Sequence, residues 1–442
     1  MDASFWMQLA VVMVCVGVGG RLGGVGLGAA GGLGVCILVL FLGCYPGDPP
    51  TSVLLIIVAV IACTSLLQGT GGLDLLVHWA ENLLRLYPRA IVITGPLVCG
   101  FFVILVGTSY VAFAIYPVIA EVAASVKVRP ERAVSASVIC AGIGVMASPM
   151  SAAMAAMVGV MAGYDFTLLQ IMAVTVPTYF IATLAASVSV YWRGTDLEND
   201  PEFKRRVANG EFTELANYSN EKNFVAQPYA KRAIAIFLIG IAVSIAVASI
   251  PQLRPTYIIK GVQKLLSVPN IIQMVMLATG CFIILFCKLP PHKFASGSVF
   301  RAGLIGVVGV FGIAWCTNTF FDVNTAVLTS FFSGIANDYP FLYCVIAFFI
   351  SSIVFSPTVS TTIMIPLGLK FGFPPEFLIG TWACCYGDFI IPGGAQIGCT
   401  AFDRTGTTRL GTFVVNHSYL RPGVVFVVVG TVVGYFISKV VF

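Results

Sequence analysis

The stretch VLLIIVAVIACTSLL, residues Val53–Leu67, has no charged side chain and no alternation of apolar with polar residues. In water such a run would need a very large core, whereas in a bilayer a spanning helix takes about 20 apolar residues. Ile234–Ala248 and Val424–Ile437 have the same character, and the 442-residue chain is 58% hydrophobic and only 10% charged. A soluble chain has roughly a quarter of its residues charged. The sequence therefore predicts an all-α polytopic membrane protein.

Hydropathy divides the chain into two membrane repeats, residues 1–193 and 232–442, joined by the polar linker 194–231. The first repeat is predicted to hold apolar or amphipathic segments at Phe5–Gly19, Gly23–Cys44, Ser52–Leu67, Gly72–Leu86, Ala90–Val122, Glu131–Val160 and Thr167–Trp192. The matching segments of the second repeat are Ile234–Ile250, Asn270–Cys287, Gly303–Asn318, Phe321–Asp338, Phe341–Lys370, Glu376–Ala401 and Thr412–Ile437. Residue pairs recur in the same order: Tyr87-Pro88 with Tyr339-Pro340, and Pro130-Glu131 with Pro375-Glu376. This shared order indicates an internal repeat.

Four interruptions break the apolar segments at matching places in the two repeats. The candidate substrate-binding residues taken from them are Gly107, Thr108, Ser109, Tyr110, Ser148, Pro149, Ser151, Ser356, Pro357, Thr358, Ser360, Thr361, Gly393, Gly394 and Gln396. Broken helices at membrane depth are tolerated where protein or a wet cavity satisfies the backbone, and paired breaks indicate a transport site. The competing interpretation is that these Ser, Thr, Gly and Pro residues mark helix kinks and close helix packing.

The breaks are rich in hydroxyl groups and glycine but almost free of charge. Helix N-termini at such breaks offer free N–H groups and a partial positive charge, which suits a carboxylate. Asp388 is the one acid well inside a predicted span, and we interpret it as a candidate for coupling to H⁺ or another cation. Its competing role is structural, as an acid lining a polar cavity or bonded to nearby backbone. Carbonyl groups at the breaks are candidate ligands for Na⁺. No resident cofactor is predicted.

The distribution of basic residues predicts the topology. We take Ala90–Val122 and Phe341–Lys370 as re-entrant hairpins, so that each repeat crosses the membrane five times and the second repeat is inverted. With both termini outside, all but five of the 24 Lys and Arg residues lie on the cytoplasmic side, as expected for membrane proteins. The alternative counts each of these two segments as crossing the membrane, giving six crossings per repeat and parallel repeats; it stays open.

Several other patterns point away from soluble chemistry. Gly26–Gly31 matches the dinucleotide pattern G-x-G-x-x-G, but it lies in an apolar span with no preceding strand, so close helix packing is the better interpretation. The 13 cysteines are scattered through predicted spans, which argues against a disulfide framework. His78, His292 and His417 lack metal-ligand spacing, so no metal site is predicted. No catalytic constellation and no nucleic-acid-binding stripe is present in the sequence.

Several motifs resemble the anaerobic C4-dicarboxylate transporter family of the DcuA/DcuB type. The residues that carry the resemblance are Gly31–Gly34, Gln68–Asp74, Arg129–Arg132, Ala147–Pro149, Phe402–Thr408 and Asn416–Ser418. The resemblance covers essentially the whole chain. It carries Gly107, Thr108 and Ser148-Pro149 over as matching site positions. This chain departs from the family at Ser109-Tyr110, where Gly-His is usual, and lacks the Lys near Ser352 and the acid near Gln396.

The resemblance implies a secondary transporter for fumarate, succinate, malate or aspartate in a bacterial inner membrane, working by exchange or cation-coupled uptake. It also implies a homodimer, two re-entrant hairpins and an elevator-like movement. The alternatives are a carrier of the same fold for another small organic anion or amino acid, a channel, and a membrane sensor working through the linker. The absence of a charged pore ring in the sequence argues against a channel.

Overall fold

We describe the fold from a computed structural model of the chain. The residues described are 3–22, 25–49, 51–164, 166–209, 225–259, 262–290, 297–354, 356–390, 392, 396, 399–400, 402–403, 405–410 and 416–442. The helices of the first repeat are α1 Ala3–Leu22, α2 Val25–Cys36, α3 Thr51–Gly69, α4 Gly72–Leu86, α5 Ile91–Val106, α6 Tyr116–Ser125, α7 Pro130–Ile143, α8 Ala152–Met161 and α9 Leu168–Tyr191. The linker carries α10 Pro201–Ala208. The second repeat has α11 Ala230–Ser249, α12 Val268–Cys287, α13 Ser298–Asp338, α14 Pro340–Val354, α15 Pro357–Lys370, α16 Pro375–Gly380 and α17 Leu420–Val441.

Apolar helices dominate the described chain, as the composition predicts. Seven helical stretches in the described residues are long and apolar enough to span a bilayer, or eight if α3 and α4, bent by 74°, form one span. Four shorter apolar helices, such as Val25–Phe41, accompany them. A two-stranded antiparallel ribbon, β1 Thr256–Ile259 and β2 Val262–Leu265, follows α11 and was not predicted. The chain is therefore a helical polytopic membrane protein.

Proline and hydroxyl residues set where the helices begin. Proline occupies the first turn of α7, α15 and α16, where its missing N–H has no intrahelical partner to lose. Thr167 caps α9 in a reciprocal capping box with Gln170. The bend between α3 and α4 lies at Gly71, whose φ of 72° is in the left-handed region that glycine tolerates.

The helices pack into two groups. The framework group comprises α1–α3 and α11–α13, with α2 lying along α13 and α3 lying along α12. The core group comprises α5–α9 and α14–α17, in which α9 packs along α17, α5 on α7 and α15 on α8. Burial is greatest in the Pro130–Met161 stretch of the core group, at 83%, compared with 39% of α11 and 41% of the spanning part of α13. It is not uniform within the core group, since only 33% of α17 is buried.

Glycines let α2 and α13 touch at the backbone. A Cβ added to Gly28 would overlap the Val308 carbonyl, and one added to Gly312 would overlap the Gly28 carbonyl. Gly31 lies against Gly312 in the same way. The glycine motif at Gly26–Gly31 thus serves close helix packing, as the sequence interpretation expected.

One predicted boundary is wrong. The sequence interpretation separated Gly303–Asn318 from Phe321–Asp338, by analogy with α3 and α4. In the structure α13 runs without interruption from Ser298 to Asp338. The junction Asn318–Asp322 contains neither glycine nor proline, so nothing in the local sequence ends the helix there.

Candidate functional site

The first two breaks meet inside the core group. Helix α5 ends at Gly107, whose φ is 82°, and a Cβ at this position would lie 2.7 Å from the Met150 carbonyl oxygen. Ser148 donates a hydrogen bond of 2.7 Å to the carbonyl of Ile104, one of the last carbonyls of α5. A hydroxyl of the second break therefore satisfies a carbonyl that the end of α5 leaves open.

The second break is built so that α8 begins within the protein. The helix α7 ends at Ile143, a 3₁₀ turn covers Gly144–Ala147, and α8 starts at Ala152. Ser151 caps α8 by accepting from the Met154 N–H at 2.9 Å and donates 2.5 Å to the Val145 carbonyl. Pro149 is buried in this turn. The partial positive end of α8 is thus fixed at the break.

The third break lies where α14 ends and α15 begins. Ser356 caps α15 by accepting from the Val359 N–H at 3.4 Å. The Thr361 hydroxyl donates to the Pro357 carbonyl and accepts a 2.9 Å bond from the Trp382 indole N–H. Pro357 and Thr358 are half-buried in the first turn. Since α15 packs on α8, this break comes from the opposite repeat but belongs to the same core group as the first two.

The fourth break, Pro392–Gln396, lies largely outside the described residues. The chain before it departs from the predicted helix, since α16 ends at Gly380 and is followed by the 3₁₀ turn Trp382–Cys385. The Gly387 N–H donates 2.7 Å to Ser351 Oγ near the end of α14, and a Cβ on Gly387 would overlap the Phe348 carbonyl. Asp388, which follows directly, is only half-buried. Further along, the Ile390 carbonyl lies 3.1 Å from His417 Nε2, which connects the break to the start of α17.

The predicted site residues that the structure describes are buried or half-buried. Thr108 and Ser109 are half-buried beside Gly107, and Gln396 is buried. Gly393 and Gly394 lie outside the described residues, as does the side chain of Tyr110. The described members of breaks one and two are in direct contact, and break three is joined to the turn before break four through Thr361 and Trp382.

Sequence reasoning missed Ser351, Trp382 and Tyr386. Ser351 was overlooked because its partner, Gly387, is distant in sequence. Trp382 and Tyr386 are fully buried, with ring centroids 6.0 Å apart. Their i, i+4 spacing just before Asp388 is the one sequence signal that could have identified them.

A second polar centre lies at the ends of α7, α9 and α17. Glu131 is 1% exposed; it accepts 2.7 Å hydrogen bonds from Arg129 Nε and Ser418 Oγ, and Arg193 lies 3.4 Å away. Arg129 also pairs with Asp200 at the start of α10. Two charged groups buried together are tolerated because each has hydrogen-bonded partners.

The loop Asp403–Thr408 supports this centre. Asp403 accepts hydrogen bonds from the Thr405 N–H at 2.9 Å and the Thr408 N–H at 2.6 Å, and from the Thr407 hydroxyl at 2.8 Å. Thr407 Oγ1 in turn accepts from the Glu131 N–H at 3.2 Å. Three motifs that are far apart in sequence, around Arg129, Asp403 and Ser418, therefore converge at one place.

Burial shifts the titration of several groups here. Burial alone disfavours the Arg129 cation, but Glu131 and Asp200 together raise its pKa. Burial lowers the pKa of Arg193, despite the opposing effect of Glu131. Burial also lowers the pKa of His417, and the neighbouring Arg193 adds to this. Because His417 Nδ1 accepts from the Tyr419 N–H at 3.2 Å, the proton of the neutral ring lies on Nε2, which donates to Ile390.

The two centres differ in chemistry. Among the described residues, the breaks present hydroxyl groups and helix ends without a basic side chain, a chemistry that can accept a carboxylate without burying Arg or Lys. No group of three or more His, Cys, Asp or Glu side chains with metal-binding arrangement occurs among the described residues. The ionic centre fastens helix ends to one another and holds the linker.

Comparisons with known proteins agree with this architecture. A family model described as the anaerobic C4-dicarboxylate membrane transporter matches residues 4–442. The chain is 36% identical over 440 residues to the anaerobic C4-dicarboxylate transporter DcuB of Escherichia coli O6:H1, covering 98% of each chain. It is 34% identical over 438 residues to the C4-dicarboxylate transporter DcuA of Wolinella succinogenes, covering 98% of this chain and 99% of the relative. The DcuA protein of Escherichia coli K12 is 33% identical over 435 residues, with the same coverage.

The match extends over nearly the whole chain and includes both centres. The chain therefore belongs to the anaerobic C4-dicarboxylate membrane transporter family, whose members are transporters and not enzymes.

Proposed function

We propose that this protein is a secondary transporter that moves C4-dicarboxylates such as fumarate, succinate, malate and aspartate across a bacterial inner membrane. The observation that carries the proposal is that α8 and α15, which begin at helix breaks of opposite repeats, pack on each other within the core group of a chain that belongs to this family. Gly107 and Ser148 come from the first repeat, and Thr358 and Thr361 come from the second. The hydroxyl groups of Thr108 and Thr358 and the N-termini of α8 and α15 are the proposed ligands of the two carboxylates.

The proposed transport cycle is elevator-like exchange or cation-coupled uptake by a homodimer. The packing of the helices into a framework group and a core group that contains the breaks supports it, because such a movement needs one body that carries the site and one that stays in place. The coupling ion is H⁺ or Na⁺, with Asp388 as the proposed coupling residue. Asp388 is half-buried just before the fourth break, next to Gly387, a position that supports this role.

The repeats are proposed to be inverted, with both termini in the periplasm. The helices follow the same order in both halves, and the contact of α2 with α13 has its counterpart in the contact of α12 with α3. This reciprocal packing is what two repeats related by a two-fold axis produce.

The direct test is counterflow of radiolabelled succinate in proteoliposomes containing the purified protein. We expect saturable uptake that requires an internal C4-dicarboxylate or an ion gradient. Uptake that no C4-dicarboxylate competes for would overturn the proposed substrate class. Gradients of Na⁺ and H⁺ applied separately identify the coupling ion, and Asp388→Asn is expected to abolish that dependence.

The proposed ligands are tested by Thr108→Val and Thr358→Val, which remove a hydroxyl and keep the side-chain volume. We expect each to raise the KM for succinate roughly 5- to 50-fold, as expected for the loss of a hydrogen bond to a charged group. Ser189→Ala on α9, whose hydroxyl bonds only to the Ala186 carbonyl of its own helix, is the matched control. Wild-type kinetics in both threonine variants would remove these two residues from the site.

A further inference from the structure

Tyr386 is the largest buried side chain at the breaks with an unsatisfied polar atom. Its side chain is completely buried, and its hydroxyl has no hydrogen-bond partner among the described residues. Buried hydroxyl groups are nearly always hydrogen-bonded, so an exception calls for a physical reason. By contrast, the hydroxyl of Tyr179, another fully buried tyrosine of the core group, donates a 2.9 Å hydrogen bond to the Cys140 carbonyl.

The position of Tyr386 connects two breaks. It precedes Gly387, whose N–H is bound by Ser351, and it lies two residues before Asp388. Its ring packs on Trp382, and the Trp382 indole donates to Thr361 on the first turn of α15. The phenol is therefore held between the third and fourth breaks by a rigid aromatic support.

A second unsatisfied hydroxyl lies on the same turn of α15. Thr361 and Thr362 return their hydroxyl groups to carbonyls of their own helix, those of Pro357 and Val359. Ser360, between the Ser356 cap and these threonines, is fully buried, and its hydroxyl has no partner in the described part of the chain. Serine in a helix often bonds back to its own turn. Ser65, Ser137 and Ser244 also lack a partner among the described residues, but Ser360 differs from them in lying on the first turn after the third break.

We propose that the Tyr386 hydroxyl, together with Ser360 Oγ, donates hydrogen bonds to one carboxylate of the transported dicarboxylate. This inference rests on the proposed function and adds Tyr386 as a substrate-binding residue. A phenol is protonated at neutral pH and is a donor of fixed direction, supplying a charge-assisted bond without a buried cation.

The variant Tyr386→Phe separates this role from simple packing. It removes one buried, unsatisfied hydroxyl and keeps the ring, so the ligand-free protein is expected to unfold at the same or a higher temperature. The affinity for succinate and fumarate, titrated by thermal shift and by counterflow, is expected to fall roughly 10- to 100-fold. Opposite effects on free and bound protein are the signature of a ligand-binding hydroxyl.

Tyr419→Phe is the matched control. The Tyr419 hydroxyl is also buried and unsatisfied among the described residues, but it lies at the start of α17 and not at a break. This variant is expected to keep wild-type affinity. Ser360→Ala provides a second measurement should Tyr386→Phe fail to fold, with an expected loss of affinity of roughly 5- to 10-fold.

The outcomes separate the two proposals. If wild-type protein binds dicarboxylates and both Tyr386→Phe and Ser360→Ala bind them equally well, the assignment of these hydroxyl groups is wrong and the proposed function stands. If wild-type protein shows neither a thermal shift nor counterflow with any C4-dicarboxylate, the proposed function and this assignment both fail. Loss of affinity in the two variants with wild-type affinity in Tyr419→Phe supports the assignment.

Discussion

Gly107 carries two constraints at once, and each has its own energetic consequence. Its φ of 82° disfavours any L side chain by roughly 1 kcal/mol. A Cβ there would also press on the Met150 carbonyl at 2.7 Å, and backbone at a tightly packed break cannot move aside easily. The contact between the first two breaks therefore depends on the absence of a side chain at this residue.

Gly107→Ala is expected to reduce both thermal stability and succinate transport severely. Gly372→Ala is the matched control, because Gly372 has a φ of 85° but no atom within 4 Å of an added Cβ. The control measures the strain of the left-handed conformation alone. Equal losses of thermal stability in the two variants would mean that the contact with Met150 contributes nothing.

His417 is expected to make stability depend on pH. Its pKa in the folded protein is lowered, mainly by burial, so the unfolded chain binds a proton more readily. Stability should therefore fall as the pH drops below about 6.5, the ordinary histidine value, and the loss should continue until the lower folded pKa is reached. We expect His417→Gln to flatten the dependence of the unfolding temperature on pH between about 7 and 5. A variant with the wild-type slope would show that other groups control it.

Residues at the breaks were predictable to different degrees. The local sequence identifies Gly107, Ser148 and Ser356, because Gly, Ser and Pro interrupt an apolar run there. Trp382 and Ser351 do not, because their roles come from partners on other helices that only the folded chain brings near. The buried position of Tyr386 in an apolar segment looks like ordinary packing until its missing partner is seen.

At the scale of elements, three ion pairs attach the start of the linker to the loop before α7 and to the first turn of α7. Arg132 pairs with Asp196 at 3.0 Å, Lys127 pairs with Glu198, and Arg129 pairs with Asp200. Asp200 also accepts from the Phe203 N–H at 3.0 Å, so the pair with Arg129 orients α10. The backbone of this loop is strained at Lys127, whose φ of 62° lies in the left-handed region that non-glycine residues seldom adopt.

The three pairs are expected to differ in strength according to burial. Asp200→Asn should lower the free energy of unfolding by about 3 kcal/mol, because it leaves the buried Arg129 with one carboxylate fewer. Asp196→Asn, at a side chain that is 71% exposed, should change it by less than about 1 kcal/mol. Thermal unfolding at low and high salt checks both values. Similar losses in the two variants would contradict the importance of burial.

The elements show where hydropathy succeeds and where it fails. The apolar runs locate most helices because helix formation in a membrane follows from the need to satisfy the backbone internally. Repeat symmetry is less reliable: it predicted a break in α13 that the structure lacks, since the glycines between α3 and α4 have no equivalent there. The sequence did not predict the two strands, Thr256–Ile259 and Val262–Leu265, because they are too short to show a periodic alternation of apolar and polar residues.

At the scale of the whole molecule, the number of crossings per repeat can be tested directly. Tyr45 precedes α3 and Gln252 follows α11, and both side chains are exposed. With five crossings per repeat these two residues lie on the same side of the membrane, whereas six crossings place them on opposite sides. We expect Tyr45→Cys and Gln252→Cys, each in a background without Cys36 and Cys281, to react with an impermeant maleimide from the same side. Labelling from opposite sides would establish parallel repeats.

The backbone contact between α2 and α13 has a consequence for measurement. Where the carbonyl of Gly28 touches Gly312, no side chain intervenes that could change rotamer and let the helices slide. The separation of these two helices should therefore stay constant during the proposed elevator-like movement. The distance between two spectroscopic labels, one on α2 and one on α13, would serve as a fixed reference. Displacements of α8 and α15 during transport could be measured relative to it.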